Sequence, residues 1–99
     1  MKVKFTPTAR RQFLDAIAYI RRDKLSAAVS FRRISEKKLK RLERFPESGR
    51  RIPEFPDLPY REVIVSPYRF FYRIEINVVW IVAAWHSAQI PTDPDSSND

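Results

Sequence analysis

The chain has 99 residues, of which 43% are hydrophobic and 13% aromatic, and this is enough for one domain with a packed core. It has no cysteine and a single histidine, which excludes disulfides, thiolate metal sites and clusters of histidine ligands. No apolar run reaches the roughly 18 residues of a transmembrane helix, and the N-terminus does not resemble a secretory signal. We therefore expect a cytoplasmic protein with no cofactor and no membrane partner.

Positive charge dominates the composition, with nineteen Lys and Arg against twelve Asp and Glu and a sequence pI near 10.1. The last thirteen residues contain three aspartates and no basic residue, so residues 1–86 carry a net charge of +10. Such a field favours a polyanionic partner, either nucleic acid or an acidic protein segment. The alternative is a basic surface that only keeps the protein soluble.

The first predicted elements are a short strand at residues 2–6 and a helix that begins after it. Thr6 is suited to cap this helix, with Pro7 at its first position, where a missing N–H costs nothing. Apolar residues then recur at helical spacing as far as Ile20, and the helix is predicted to end near residues 22–24.

A second helix is predicted from a cap at Ser26 to a stop at Pro46, forming an antiparallel hairpin with the first. Its apolar positions fall within an arc of roughly 140°. They are Ala27, Ala28, Phe31, Ile34, Leu39, Leu42 and Phe45. Basic residues, namely Arg33, Lys37, Lys40, Arg41 and Arg44, lie on the opposite side.

Residues 46–59 contain four of the eight prolines and the only glycine, and they predict an irregular connection. Three β-rich runs follow, at 60–65, 68–76 and 78–86, and predict an antiparallel meander whose last strand is buried on both faces. Residues 89–99 are expected to form a disordered acidic tail behind a domain of residues 1–88.

These elements predict an α+β fold with the order β-α-α-β-β-β, in which a helical hairpin packs on one face of a small, mainly antiparallel sheet. A pair of helices covers only one sheet face. We therefore expect the other face to be open to solvent or to a partner.

Alternation in the middle β run separates its side chains between the two faces. Tyr68, Phe70, Tyr72 and Ile74 are expected in the core, and Arg69, Phe71, Arg73 and Glu75 on the open face. An exposed row of Arg, Phe and Arg suits phosphate contacts beside a ring that stacks on a base. In the alternative, Arg73 pairs with Glu62 or Glu75 and Arg69 binds a loop carbonyl.

The face occupied by Arg61 depends on the length of the loop at Ser66 and Pro67. A two-residue loop places Arg61 opposite Tyr72, on the core face, and one more residue reverses this. The sequence leaves both possibilities open.

His86 is the one natural general acid or base, since its unperturbed pKa lies near neutrality. Together with Glu62 and Arg69 it could supply the groups that ribonuclease chemistry needs. The alternative is a structural histidine that bonds a carbonyl at the end of its strand.

Several short motifs, taken in order, resemble the ParE branch of the RelE/ParE superfamily, the toxins of bacterial type II toxin–antitoxin modules. They are Gly49-Arg50-Arg51-Ile52-Pro53-Glu54, Tyr60-Arg61-Glu62-Val63, Tyr68-Arg69, Tyr72-Arg73 and a final apolar strand ending in His86. The N-terminal stretch from Phe5 to Ile20 and the pair Ala27-Ala28 fit as well. The resemblance covers about residues 3–88.

The resemblance implies the fold predicted above, a cognate antitoxin that wraps the toxin in a hetero-oligomer, and growth inhibition when the antitoxin is lost. ParE-type members are associated with poisoning DNA gyrase, and RelE-type members cleave mRNA on the ribosome. We expect a gyrase inhibitor. A ribosome-dependent ribonuclease and a degenerate toxin that only binds its antitoxin are the alternatives.

Site residues differ between these alternatives. A ribonuclease would use Arg61, Arg69 and His86, although Gln89 stands where many such relatives have an arginine. Contacts with a partner are expected from Arg69, Phe71, Arg73, Phe31 and Arg41. If Arg69 is exposed, Arg69→Ala should leave folding nearly intact.

Overall fold

The computed structural model describes residues 1–89, which form two helices packed on a five-stranded sheet. In chain order the elements are β1 (Lys2–Phe5), α1 (Pro7–Asp23), α2 (Leu25–Lys40), a 3₁₀ turn (Arg41–Glu43), β2 (Arg50–Arg51), β3 (Arg61–Val65), β4 (Tyr68–Glu75) and β5 (Val78–His86). The predicted α+β fold is confirmed. Residues 90–99 of the predicted tail lie outside the described residues.

Helix α1 begins as its sequence predicts. The Thr6 hydroxyl accepts a hydrogen bond of 3.1 Å from the Ala9 N–H, and Pro7 occupies the first turn. Ala9, Phe13 and Ala16 are buried against the sheet, while Arg21 and Arg22 lie in the last turn, where cations interact favourably with the helix dipole.

Helix α2 is shorter than predicted. It begins at Leu25, without a side-chain cap, and gives way to the 3₁₀ turn at Arg41, five residues before Pro46. The change in helical pitch keeps Leu42 buried but leaves Phe45 52% exposed, so the prediction that Phe45 faces the core is wrong. Ala27 and Ile34 are exposed as well.

The sheet has the strand order β1-β5-β4-β3-β2, with β1 parallel to β5 and all other pairs antiparallel. Val65 pairs with Tyr68, so the loop between β3 and β4 has two residues, and the Ser66–Pro67 peptide bond within it is cis. Arg61 therefore lies opposite Tyr72. This register places Arg61 on the sheet face that carries the helices.

The main core lies between that face and the helical hairpin. Tyr68, Phe70 and Tyr72 are buried there, as the alternation along β4 predicts, but Ile74 near the end of the strand is 36% exposed, so its predicted place in the core is wrong. Phe70 lies 5.5 Å from Phe13 of α1, ring centre to ring centre, and Phe31 of α2 stands 5.3 Å from Tyr68. Because Phe31 is 5% exposed and packed in this core, it does not form the partner surface that the sequence predicted.

The second sheet face is not open, which corrects the prediction. It carries an apolar cluster formed by Ile52, Tyr60, Phe71, Val82, Ala83 and Trp85, with Phe55, Leu58 and Trp80 packed at its edge. Four of these residues come from the proline-rich segment 52–60, which lies against the sheet. β5 is thus buried on both faces, as predicted, but Phe71 has no exposed surface with which to stack on a base.

Candidate functional site

Arg69 lies at the centre of a chain of ion pairs on the second sheet face. Its Nε donates to Glu62 Oε1 at 2.7 Å, while its Nη1 and Nη2 donate to the two oxygens of Glu54 at 3.1 and 2.8 Å. The other oxygen of Glu62 accepts from Arg50 Nε. The guanidinium also lies 5.0 Å from the centre of the Phe71 ring. Two carboxylates therefore balance the charge of Arg69.

Burial gives this network a structural role. The Glu62 side chain is fully buried and that of Arg69 is 10% exposed, so each needs its partner to offset lost hydration. The bidentate hydrogen bonds from Arg69 lower the pKa of Glu54, and the same hydrogen bonds raise the pKa of Arg69. Since Glu54 belongs to the proline-rich segment, the network ties that segment to β3 and β4. The expectation of an exposed Arg69 is wrong.

The other two arginines of the meander also have partners. Arg73 Nε donates to Glu75 at 3.0 Å, one of the two pairings considered from the sequence. Arg61 Nη1 donates to the carbonyls of Glu47 and Gly49, at 3.2 and 2.9 Å. Arg61 thus holds the start of the irregular segment against the sheet.

Tyr72, on the sheet, binds the same irregular segment through its hydroxyl. Its hydroxyl donates to the Pro46 carbonyl at 2.7 Å and accepts from the Gly49 N–H at 2.9 Å. A Cβ at position 49 would stand 2.5 Å from this hydroxyl, so glycine is needed there for close approach. Burial raises the pKa of Tyr72, although the Gly49 N–H opposes this.

His86 ends β5 on the helix side, opposite Tyr68. Its Nδ1 accepts a 3.0 Å hydrogen bond from the Ala88 N–H, and its ring meets Tyr68 edge-on at 5.3 Å. The backbone N–H of His86 also donates a hydrogen bond to the Gln89 side chain. The sequence suggested that the His86 ring bonds a carbonyl. In the structure the ring instead accepts a hydrogen bond from a backbone amide.

The three residues expected of a ribonuclease do not come together. Arg61 and His86 stand opposite Tyr72 and Tyr68, four residues apart along β4, which is roughly 13 Å at about 3.3 Å per residue. Arg69 projects from the opposite face, beside Glu62 and Glu54. A single phosphate is too small to touch groups arranged in this way.

A more exposed cationic surface lies where the end of α2 meets β3. We call it the basic groove; its cavity volume is about 340 Å³ and its lining includes Lys38, Arg41, Gly49, Arg50 and Ile64. Lys38 Nζ donates to the Ile64 carbonyl at 3.1 Å and so crosses from helix to strand.

Phe45 stands near Arg41 of this groove, and the sequence did not single it out as a surface residue. The guanidiniums of Arg41 and Arg44 each lie 5.9 Å from its ring centre. Exposed aromatic rings and arginines are common among the residues that anchor a protein partner. The arginine spacing and the adjacent Pro46 could have indicated it, but the helical pattern placed Phe45 with the core.

Within residues 1–89, no three His, Asp or Glu side chains come together as metal ligands. None of the helices in that range is long and apolar enough to cross a membrane.

Comparison with known proteins places these features in a family. The model of the family described as "ParE toxin of type II toxin-antitoxin system, parDE" matches residues 3–91. A solved structure described as "Chromosomal ParDE TA system from P. aeruginosa" contains a chain that is 19% identical, with a TM-score of 0.65, and the match covers 87% of this chain and 95% of that one. That likeness supports the fold. No curated protein matches the sequence. The family match spans nearly the whole chain, and the chain belongs to the ParE toxin family of type II toxin–antitoxin systems.

Proposed function

We propose that this ParE-family toxin stops growth by binding DNA gyrase, and that its cognate antitoxin prevents this. The observation that carries the proposal is the separation of Arg61, Arg69 and His86, since it favours binding over cleavage of a phosphodiester. Arg69 is neutralised by Glu54 and Glu62, and Arg61 is bound to two carbonyls. A cation for the transition state of RNA cleavage would have to be free to meet the phosphate.

The antitoxin is proposed to bind through an acidic segment in the basic groove. Lys38 and Arg41 provide the opposite charge, since Arg50 already pairs with Glu62, and the exposed Phe45 ring beside Arg41 provides an apolar contact. Arg41 therefore keeps its expected role as a partner contact. Arg73 is half-buried on its strand and remains a second proposed contact.

One experiment distinguishes the gyrase proposal from its alternatives. The toxin is expressed without antitoxin, and the purified protein is tested for inhibition of supercoiling by gyrase and for cleavage of translated mRNA. We expect loss of supercoiling, relieved by adding antitoxin, and intact mRNA. Ribosome-dependent cleavage without an effect on gyrase would instead establish the RelE-type ribonuclease.

Two further outcomes contradict the proposal in different ways. If growth stops while both purified reactions are unaffected, neither gyrase nor mRNA is the target. If growth continues although the antitoxin still binds, the chain is a degenerate toxin. The antitoxin surface is tested separately with Arg41→Ala. We expect this variant to bind antitoxin more weakly while the protein remains folded.

A further inference from the structure

A second cleft, separate from the basic groove, opens between α1 and the end of β5. We call it the α1 cleft, and its cavity volume is about 340 Å³. Polar and aromatic side chains from four parts of the chain line it: Gln12, Asp15, Tyr19, Tyr68, His86 and Gln89. None of the roles assigned above uses the cavity itself.

The hydroxyl of Tyr68 is the unexplained group in this cleft. The residue is 7% exposed, and its hydroxyl, which forms no hydrogen bond within residues 1–89, contacts solvent at the cleft. Burial raises its pKa, with a smaller contribution from Tyr19, so the hydroxyl stays protonated at neutral pH and can donate. A ligand in the cleft can therefore accept a hydrogen bond from this hydroxyl in place of water.

Three neighbouring side chains of the lining each retain an N–H donor as well. The Nδ1 of His86 accepts from Ala88, so the neutral ring carries its proton on Nε2. Gln12 Oε1 accepts from the Ala84 N–H at 2.8 Å, and Gln89 Oε1 accepts from the His86 N–H at 2.8 Å. In both amides the oxygen is therefore bound and the NH₂ group is left to donate.

Asp15 supplies a hydrogen-bond acceptor to the cleft. It is an exposed carboxylate on α1 at the rim of the cleft, and it accepts hydrogen bonds only. Its charge disfavours a phosphate or carboxylate inside the cleft. The cleft therefore suits a neutral group with acceptors on one edge and adjacent N–H donors on another.

A planar ring can stack on Tyr19, which lines the cleft and is 59% exposed. Guanine has acceptors at O6 and N7 and donors at N1 and its exocyclic amine. We propose that the α1 cleft binds a guanine base, with donors from Tyr68, His86 and the two glutamines on O6 and N7, and Asp15 accepting from the N1 and amino protons. Arg11, exposed one helical turn before Asp15, is placed to meet a phosphate attached to the base.

The test is a titration of the full chain with GMP, AMP, CMP and UMP, followed by calorimetry. We expect saturable binding of GMP, about tenfold tighter than that of AMP, because a carboxylate pairs with guanine and not with adenine. Asp15→Asn should remove most of this preference. Tyr68→Phe should weaken GMP binding about fivefold while leaving the fold intact, since its hydroxyl bonds no described residue.

Asp23→Asn is the matched control, because it removes an exposed carboxylate of α1 outside the cleft and should change nothing. Equal binding of all four nucleotides, an absence of saturation up to about 5 mM, or unchanged binding by Tyr68→Phe would each overturn the proposal. Circular dichroism of every variant separates a loss of binding from a loss of folding.

The base could come from a free nucleotide or from a single-stranded nucleic acid. Short single-stranded RNAs, one containing guanine and one of adenine alone, distinguish these sources. Tighter binding of the guanine oligonucleotide than of GMP, with strong salt dependence, assigns a nucleic acid. If GMP binds at least as tightly as the guanine oligonucleotide, the ligand is a free nucleotide. Equal binding of the two oligonucleotides contradicts the proposal. No measurement here involves gyrase or antitoxin, so the gyrase proposal stands or fails separately.

Discussion

Arg69 and Glu62 are diagonal neighbours on adjacent strands, joined by a hydrogen bond of 2.7 Å in which the carboxylate is fully buried. Arg69 pairs across the sheet with Ile64, two residues from Glu62, so both side chains project from the same face. The arginine that looked most available for an external phosphate is instead the counterion of a buried acid.

Arg69→Ala should be strongly destabilising. The substitution leaves the buried Glu62 with Arg50, a largely exposed residue, as its ion-pair partner. It also removes the ion pair between Arg69 and Glu54. We expect a loss of about 3–5 kcal/mol in the free energy of unfolding, measured with urea. Arg73→Ala on the same strand is the control, and its exposed pair should cost less than about 1 kcal/mol. Equal losses for the two variants would contradict a structural Arg69.

Stability should depend on the ionisation of Glu54. Its pKa is lowered from 4.5 in the folded protein, so its ion pair stabilises the fold fully above about pH 4.5. This contribution is lost as the pH falls through the lower, folded-state pKa. Glu54→Gln should therefore be less stable than the wild type at neutral pH, with a difference that shrinks on acidification.

Urea unfolding of both proteins between about pH 7 and pH 3 measures this difference. Asp57→Asn is a matched control, because it removes a carboxylate of the same segment for which no ion pair is found within residues 1–89. A difference between wild type and Glu54→Gln that stays constant over this range would refute the assignment.

Gly49→Ala should destabilise the junction between the proline-rich segment and β4. The new methyl group would stand 2.5 Å from the Tyr72 hydroxyl and 2.7 Å from the Glu62 carbonyl, and the latter is backbone that cannot move aside easily. We expect a loss of about 1–3 kcal/mol in thermal or urea unfolding. Ser48→Ala, at the exposed neighbouring position, should stay within about 0.5 kcal/mol of wild type. If Gly49→Ala is as stable as the wild type, the backbone at position 49 does not lie as close to Tyr72 and Glu62 as described.

Phe45→Ala should separate binding from folding. The ring is 52% exposed, so its removal should change the free energy of unfolding little. Affinity for the antitoxin should fall by at least about tenfold if Phe45 anchors the acidic segment, as calorimetry with the purified antitoxin would measure. Ile76→Ala removes a 91% exposed side chain at the far end of β4 and serves as the control. Unchanged affinity for Phe45→Ala would place the antitoxin elsewhere.

Local patterns in the sequence were sufficient to predict the helices and the meander. Alternation at Tyr68, Phe70 and Tyr72 and the cap at Thr6 depend only on near neighbours, and the structure confirms both. The parallel pairing of β1 with β5 joins residues at opposite ends of the chain, and no local pattern indicates it.

The site was harder to predict because the irregular segment has no period. Nothing in its spacing shows that Ile52 and Tyr60 cover the second sheet face. Once that face is covered, Arg69 and Phe71 change from exposed to buried, and Glu54 becomes a counterion. The error at all three positions follows from one missing long-range contact.

Within residues 1–89, β5 is the last strand, and it is also the strand to which β1 and β4 both pair. During synthesis, therefore, β1 has no strand to pair with until residues 78–86 have emerged. A chain that stops before residue 78 lacks the strand that joins β1 to β4. The five-stranded sheet can therefore close only after residues 78–86 have been synthesised, because β1 and β5 must meet before it exists.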